Sequence, residues 1–410
     1  MDLGHEQMLI INRDPVGHAY EGRLSITDFS KESPESKYWD YVEGSHFYDG
    51  WIDEEDLQIP GDFLGRGYEQ VMFISRDPMD RSSPYFGNSH KVMIADFKDG
   101  RPPAEVIAIS KPGSGNPLAG WLGDKDVHLV GDFMGKGKDQ LLIINRDPVG
   151  HTNEGKIAVM ELESAGSDWV FNSDYWESYG ENTIFDGWID DFDLQFAGDF
   201  MGRNHEQLML MCQDPMDRSS PYFGNSHKVM IADFKDGKPP AEAIAISKPG
   251  SGNPLAGWLS DKDIRLVGDF MGKGKDQLLI ISRDPVGHAN EGKVAVMELE
   301  GVGSAWMFNS DYWESYGDST TFDGWTDDFD LHIVGDFMNR GRDQLMLISR
   351  DPMDRTSPYF GNSHKIMFAD FSRGRPPADA LFIKCKGNTE VKATPSTEEK
   401  KNMTDVQAFD

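Results

Sequence analysis

The tripeptide Gly-Asp-Phe returns at Gly61, Gly131, Gly198, Gly268 and Gly335, and its spacing alternates between 70 and 67 residues. Repetition at a fixed period constrains a fold more than composition does, because each unit must bury its apolar face against the next. The alternation means that two kinds of unit take turns. One kind, A, reads "GDFMGKGKDQLLIINRDPVGHTNEGKIAVMELE" from Gly131 and recurs almost unchanged from Gly268. The N-terminal "GHEQMLIINRDPVGHAYEG" reads as another A unit without its opening GDF. The other kind, B, carries "DPMDRSSPYFGNSHK" at Asp77–Lys91, repeated at Asp214–Lys228 and, with one Ser-to-Thr change, at Asp351–Lys365. The order is A-B-A-B-A-B, six units in three pairs of about 137 residues.

Each unit holds four short apolar runs rich in Val, Ile, Leu, Met and Phe, separated by Gly, Pro, Asp and Asn. The first complete B unit has "DLQIPGDF", "QVMFISR", "KVMIADF" and "EVIAIS"; the A unit from Gly131 has "VHLVGDF", "QLLIIN", "KIAVMEL" and "WVFNSDY". Runs of this length bounded by turn formers predict strands, and no segment offers a sustained helical period. Six four-stranded units predict an all-β chain folded as a six-bladed β-propeller with pseudo-threefold symmetry. An open solenoid is the alternative. The expected blades span about 1–60 with 404–410, then 61–130, 131–197, 198–267, 268–334 and 335–385. The terminal sequences "TDVQAFD" and "MDLGHEQ", placed end to end, imitate "DLQFAGDFMGRNHEQ". A C-terminal strand closing the ring is therefore expected, which would remove exposed strand edges. Residues 386–403, polar and rich in Thr and Lys, read as a flexible linker before that strand.

The formal charge of −30 over 410 residues argues against nucleic acid and anionic membrane surfaces, which need basic footprints. It is compatible with basic partners, cations or plain solubility. The two cysteines, Cys212 and Cys385, make no disulfide framework; Cys212 stands where sister units carry Ser75 and Ser349. No signal peptide and no transmembrane span are expected, which leaves the compartment open.

The segment "GDFMGKGKDQLL" resembles the FG-GAP/VCBS-type repeat of integrin-α-like β-propellers, whose pattern is roughly GDFNGDGxxDLL. The resemblance covers five loops and implies a propeller serving as a lectin, adhesion module or enzyme appendage. In that family the loop often holds Ca²⁺ through alternate carboxylates, and calcium takes six to eight oxygens. This chain departs from the pattern. Its third and fifth loop positions are Met134 and Lys136, with Leu64 and Arg66, Met201 and Arg203, Met271 and Lys273, and Met338 and Arg340 in the sister loops. No cofactor is expected, calcium included. The expectation is that Lys136 replaces the metal by pairing with Asp132 or Asp139, and that its counterparts do the same. Acidic clusters at "DGWIDEEDL", "DGWIDDFDL" and "DGWTDDFDL" read as a solvated rim, and the recurring Trp51, Trp121, Trp188, Trp258 and Trp325 as packing anchors.

The Asp-Pro step that leaves the second strand of every unit suits a turn, because Asp accepts backbone hydrogen bonds and Pro presets φ. The preceding Arg13, Arg76, Arg146, Arg283 and Arg350 are placed to meet a neighbouring carboxylate. Beyond that step the B units are distinct. Asp80, Arg81, Tyr85, Asn88 and His90 fall within a dozen residues, as do Asp217, Arg218, Tyr222, Asn225 and His227, and Asp354, Arg355, Tyr359, Asn362 and His364. Planar polar groups for paired hydroxyls beside an aromatic face for a sugar's C–H patch suit carbohydrate. Three equivalent loops favour multivalent binding of glycans or glycoproteins over catalysis. The alternatives are a protein-interaction propeller that uses its acidic rim, an enzyme with a metal or catalytic site in the axial channel, and loops kept alike by recent duplication alone. No nucleophile triad, metalloprotease motif or phosphate-binding loop occurs.

Overall fold

The computed structural model describes residues 3–11, 24–30, 35–39, 56–75, 91–98, 104–108, 121, 123, 125–146, 156–165, 168–178, 193–212, 228–235, 241–245, 263–282, 293–302, 305–315, 330–349, 365–372, 380–384 and 390–394. Within them the chain is all-β: 24 strands and no helix, in six small antiparallel sheets. The first sheet has three strands, β1 (Met8–Ile11), β2 (Leu24–Asp28) and β3 (Glu35–Trp39). The second is β4 (Leu57–Gly61), β5 (Gln70–Ser75), β6 (Lys91–Ala95) and β7 (Ala104–Ala108). The third is β8 (Val127–Gly131), β9 (Gln140–Ile144), β10 (Lys156–Ala165) and β11 (Asp168–Ser178).

The remaining three sheets repeat these plans. The fourth holds β12 (Leu194–Gly198), β13 (Gln207–Cys212), β14 (Lys228–Ala232) and β15 (Ala241–Ala245). The fifth holds β16 (Ile264–Gly268), β17 (Gln277–Ile281), β18 (Lys293–Val302) and β19 (Ala305–Ser315). The sixth holds β20 (Leu331–Gly335), β21 (Gln344–Ser349), β22 (Lys365–Ala369), β23 (Ala380–Lys384) and β24 (Glu390–Thr394). Every sheet is a meander, each strand paired with its sequence neighbour. One local difference from expectation is β24, which lies in the segment read as a linker and pairs with β23 as a fifth strand.

The second strand of each repeat explains the packing. In β9 and β17, "QLLII" is fully buried, so both faces of the strand meet protein. An uninterrupted apolar run is what a strand covered on both sides needs. Each apolar core is shared by two sheets. One joins the second sheet (Met72, Ile94) to the third (Leu141, Met160), and others join third to fourth, fourth to fifth and fifth to sixth. Phe337, Met346 and Phe368 of the sixth sheet pack with Phe29 beside the first, while Leu24 and Ile26 pack with Phe73 and Met93 of the second.

The Phe of each GDF sits at the centre of this packing, at 0–2% exposure in all five copies. Phe133 and Phe270 each meet a Phe after the third strand of the following unit edge to face, at 6.2 Å (Phe234) and 5.7 Å (Phe371), and Phe337 meets Phe29, just past β2, in the same way at 6.3 Å. Offset and edge-on contacts suit the ring quadrupoles. Where a leucine takes that place, Phe63 is grouped with Leu162 and Phe200 with Leu299. The Gly of GDF is required by closeness. A Cβ on Gly198 would lie 2.7 Å from Val267 Cγ1, and one on Gly268 2.6 Å from Val334 Cγ1, both on the next sheet.

Candidate functional site

The fifteen residues of the triplicated loops, from Asp80 to His90, Asp217 to His227 and Asp354 to His364, lie outside the described residues. Their anchors are described. Ser75 pairs with Lys91 across β5 and β6, Cys212 with Lys228 across β13 and β14, and Ser349 with Lys365 across β21 and β22. Residues 76–90, 213–227 and 350–364 thus leave and re-enter three sheets between strands held in one register. The GDF loops join β4 to β5, β12 to β13 and β20 to β21, at the opposite ends of β5, β13 and β21.

Each GDF loop is tied by its own aspartate. Asp132 Oδ1 accepts the amide N–H of Lys136 at 2.7 Å and Oδ2 that of Gly137 at 2.7 Å. Gln140 closes the turn by accepting the Met134 N–H at 2.9 Å. The same pattern holds at Asp62, Asp199, Asp269 and Asp336. The turn needs left-handed backbone at two positions. Glycine supplies it except at Asn204 (φ 58°) and Asn339 (φ 51°), each standing where sister loops have Gly. Asparagine is the side-chain-bearing residue that best tolerates this region.

The expected pairing of Lys136 with Asp132 or Asp139 is not what forms. The Lys136 ammonium pairs with Glu161 on the third strand of its own unit, and Lys138 joins the same carboxylate at 2.5 Å. Lys273 and Lys275 do the same with Glu298. In B units the acceptor is an aspartate just past the third strand: Arg66 with Asp96, Arg203 with Asp233, and Arg340 with Asp370. The second donor varies, being Tyr68 at 2.7 Å, His205 at 2.9 Å and Arg342 at 2.8 Å. Asp28 takes this place in the first unit, bound by His5 at 2.9 Å.

The switch between unit types has a structural cause. In β10 and β18 a bulge before Glu161 and Glu298 turns a mid-strand residue toward the loop. The B strands end at Ala95, Ala232 and Ala369, and the next residue is the aspartate. Burial alone would raise these carboxyls. The hydrogen bonds and cations around them outweigh it, so Asp28, Asp96, Asp233, Asp370, Glu161 and Glu298 are all held below their ordinary range.

A second set of carboxylates joins the sheets. Asp139 Oδ2 accepts the Asp62 N–H of the preceding sheet at 2.6 Å, and the Asp139 N–H returns to the Asp62 carbonyl at 3.0 Å. Glu206 accepts from Asp132 at 2.5 Å, Asp276 from Asp199 at 2.7 Å, and Asp343 from Asp269 at 2.7 Å. Glu6 accepts from Asp336 at 2.6 Å, linking the first sheet to the sixth. Glu69 holds the sixth equivalent position. Asp139, Glu206, Asp276 and Asp343 are pushed upward: Asp276 to about 7 by burial and then by Asp343 and Glu206, and Asp343 to about 6 by burial and then by Glu6, Asp269 and Asp336. Glu69 rises to about 7, by burial and then by Glu6 and Asp139. Glu69 is the most open to solvent of the six, so water screens it more than the half-buried Asp276 and Asp343.

The chemistry of the loop does not fit calcium. Both oxygens of its aspartate are engaged by N–H donors, and a cationic residue fills the position where a carboxylate would be needed. Among the described residues no group of three or more His, Cys, Asp or Glu side chains is arranged to hold a metal ion. Arg146 donates its backbone N–H to Asp126 Oδ1 at 2.9 Å, while among the described residues its guanidinium donates to Gln195 Oε1 at 2.5 Å and to the Asp193 carbonyl at 3.2 Å on the next sheet. No protein-family model matches the chain, and no curated protein matches it as a relative.

Solution behaviour should reflect both sets of carboxylates. Millimolar Ca²⁺ or EDTA should leave the thermal midpoint unchanged, as read by circular dichroism; a rise with Ca²⁺ that EDTA reverses would contradict the loop chemistry. The pH response has two limbs. Carboxyls with lowered values stabilise the fold above their ordinary range, and that contribution is lost as pH falls through their folded values. Carboxyls with raised values stabilise it at low pH, and that contribution is lost as pH rises from about 4 to about 7. The midpoint should therefore be higher at about pH 5.5 than at about pH 7.5, and should fall again below about pH 4. Asp276→Asn should flatten the step between the two higher values.

Proposed function

We propose that this chain is a six-bladed β-propeller that binds glycans through three equivalent loops on alternate blades. The observation that carries the reading is the identical anchoring of three near-identical loops. Residues 76–90, 213–227 and 350–364 each bridge a hairpin whose last pair is a Ser or Cys opposite a Lys. Six meander sheets in consecutive contact, with the sixth also packed on the first, support the ring. Loops on alternate members of such a ring would face one side and present three copies of Asp, Arg, Tyr, Asn and His.

Each loop offers groups suited to a sugar: Asp80, Arg81 and Asn88 for paired hydroxyls and Tyr85 for a C–H face, with sisters around Tyr222 and Tyr359. Single sites of this kind are weak. Three on one rigid frame gain strength against a surface that displays many copies of a glycan. No cofactor is needed. The partner is a glycan or glycoprotein, and the −30 charge disfavours nucleic acid. The same charge favours a second reading, a propeller that meets basic protein partners along its acidic rim.

A glycan array separates the two readings. The proposed function predicts a defined sugar class that is bound only at high surface density. Replacing Tyr85, Tyr222 and Tyr359 together by Ala should weaken that binding by roughly 100-fold or more, because avidity is lost with the single sites. The thermal midpoint should not move. An array on which nothing binds would transfer the function to protein partners, and an unchanged triple variant would remove these loops from the site.

A further inference from the structure

His5 and His205 each stand just before a glutamate, Glu6 or Glu206, that accepts an N–H from another sheet. Both are buried, with side chains 6% and 2% exposed. In each, both ring nitrogens face an oxygen. His205 Nε2 lies 2.9 Å from Asp233 Oδ1, and its Nδ1 lies 3.1 Å from the Arg203 carbonyl. His5 repeats both contacts, with Nε2 2.9 Å from Asp28 Oδ1 and Nδ1 3.1 Å from the Leu3 carbonyl. Asp28 and Asp233 are held below their ordinary range, so each offers a carboxylate that accepts. A neutral imidazole has one N–H, so it would serve one oxygen and turn a lone pair on the other.

The sister loops show what this position demands. Arg342 stands where the two histidines stand and gives a hydrogen to both kinds of oxygen. Its Nε donates to Asp370 Oδ1 at 3.0 Å, and its Nη1 donates to the carbonyl two residues back, Arg340, at 3.4 Å. Lys138 and Lys275 also divide their hydrogens between a carboxylate and a carbonyl. They meet Glu161 and Glu298, and donate to the carbonyls of Leu162 at 3.0 Å and Leu299 at 3.1 Å. Arg and Lys are cations with hydrogens to spare. Histidine supplies two donors only as the imidazolium, and it is the one of these side chains that can give up the second proton in the neutral range.

We infer that His5 and His205 carry a proton on both ring nitrogens in the folded chain, and that losing one as pH rises loosens the two sheet boundaries beside them. The charged groups around His205 are Asp233, Arg203 and Lys235 of its own unit, Glu206 and Asp132 at the preceding boundary, and Lys275, which packs against Gly202 from the following sheet. Around His5 they are Asp28 of its own unit, Glu6, Asp336, Arg342 and Asp343 toward the sixth sheet, and Tyr68 and Glu69 toward the second. His5 bears more of the load. Leu3 stands where Arg203 stands, so among the described residues His5 is the one side-chain cation on Asp28, whereas Arg203 remains on Asp233 at 2.7 Å. The loop that each ring holds also carries the next residue, which accepts the Asp336 N–H at 2.6 Å (Glu6) or the Asp132 N–H at 2.5 Å (Glu206). The two boundaries, sixth to first and third to fourth, are three units apart, and on the ring reading above they lie opposite each other. The inference takes that placement from the ring reading and nothing from glycan binding.

Nitrogen-15 spectra of the histidine rings, recorded on the intact chain as pH is raised from about 5.5, read these protons directly. Both nitrogens of His5 and of His205 should begin with the shift of a protonated ring nitrogen. As one proton leaves, the Asp336 and Asp132 amides should lose exchange protection relative to Asp62, whose acceptor Asp139 has Lys138 beside it. A one-proton pattern already present at about pH 5.5, the sign of a buried neutral ring, would overturn the inference. So would a titration that leaves both amides as protected as Asp62. His5→Arg with His205→Arg puts the residue of Arg342 at both places. Bonds made by an imidazolium stabilise the fold at low pH and are lost as pH rises. The variant should therefore match the parent midpoint at about pH 5.5 and exceed it by about 2 °C at about pH 8.5. That gain should persist in an Asp276→Asn background, which separates it from the carboxyl step. A difference in midpoint that is the same at both pH values would contradict the inference, and the spectra of the parent chain decide it if the variant does not fold.

Discussion

The contact on which the rest depends is a single carboxylate accepting one backbone N–H across a sheet boundary. Asp139, Glu206, Asp276, Asp343 and Glu6 each clasp the aspartate amide of the preceding GDF loop. A hydrogen bond to a charged acceptor is stronger than a neutral one, and here it holds a loop whose own aspartate is already committed to closing its turn. The neighbouring packing is set by the same residue pair. At Gly61, Gly131, Gly198 and Gly268 the Gly before the clasped aspartate touches the next sheet too closely to admit a side chain, and in all five copies the Phe after it is buried in the core between sheets. Gly, Asp and Phe thus have three separate duties at one boundary: approach, turn closure and apolar filling.

The clasps bring a cost that the cation pairs do not share. Burial, and then the carboxylates of neighbouring boundaries, make Asp276 and Asp343 ionise reluctantly. The loop cations pair within their own units. They neutralise Glu161, Glu298, Asp96, Asp233 and Asp370 instead. Two acids with opposite shifts therefore sit in one repeat, as Glu298 and Asp276 do. One secures the loop to its own sheet, and the other secures the loop to the next sheet.

Much of the fold is legible in the sequence because the repeats align one another. Strand runs such as "QLLII" and "KVMIADF" form β9 and β6, and the alternating units form sheets of two kinds. The loop cations are harder to place. Proximity in sequence favours Asp132 and Asp139, whereas the partner of Lys136 lies 25 residues on, turned inward by a bulge. The signal is present in the pairing of types: the A units from Gly131 and Gly268 carry Lys with Glu, and the B units carry Arg with Asp. The clasp is legible too, since all six units hold an acid before the Gln that opens the second strand, but its place in the loop suggests a leftover metal ligand. Arg146 and Gln195 show a further trace. The equivalent residues of the next boundary are Gln213 and Arg265, the same two residue types exchanged. The triplicated loops lie outside the described residues, so their reading rests on sequence and on their anchors.

The central structural claim is that the boundary between the sixth and first sheets is built like the others. Amide hydrogen exchange tests it at one atom. The Asp336 N–H, held by Glu6, should exchange as slowly as those of Asp132, Asp199 and Asp269, and all four should speed up together as denaturant approaches the global transition. An Asp336 amide that exchanges at the rate of a free loop, while the other three stay protected, would mean that the sheets form an open row.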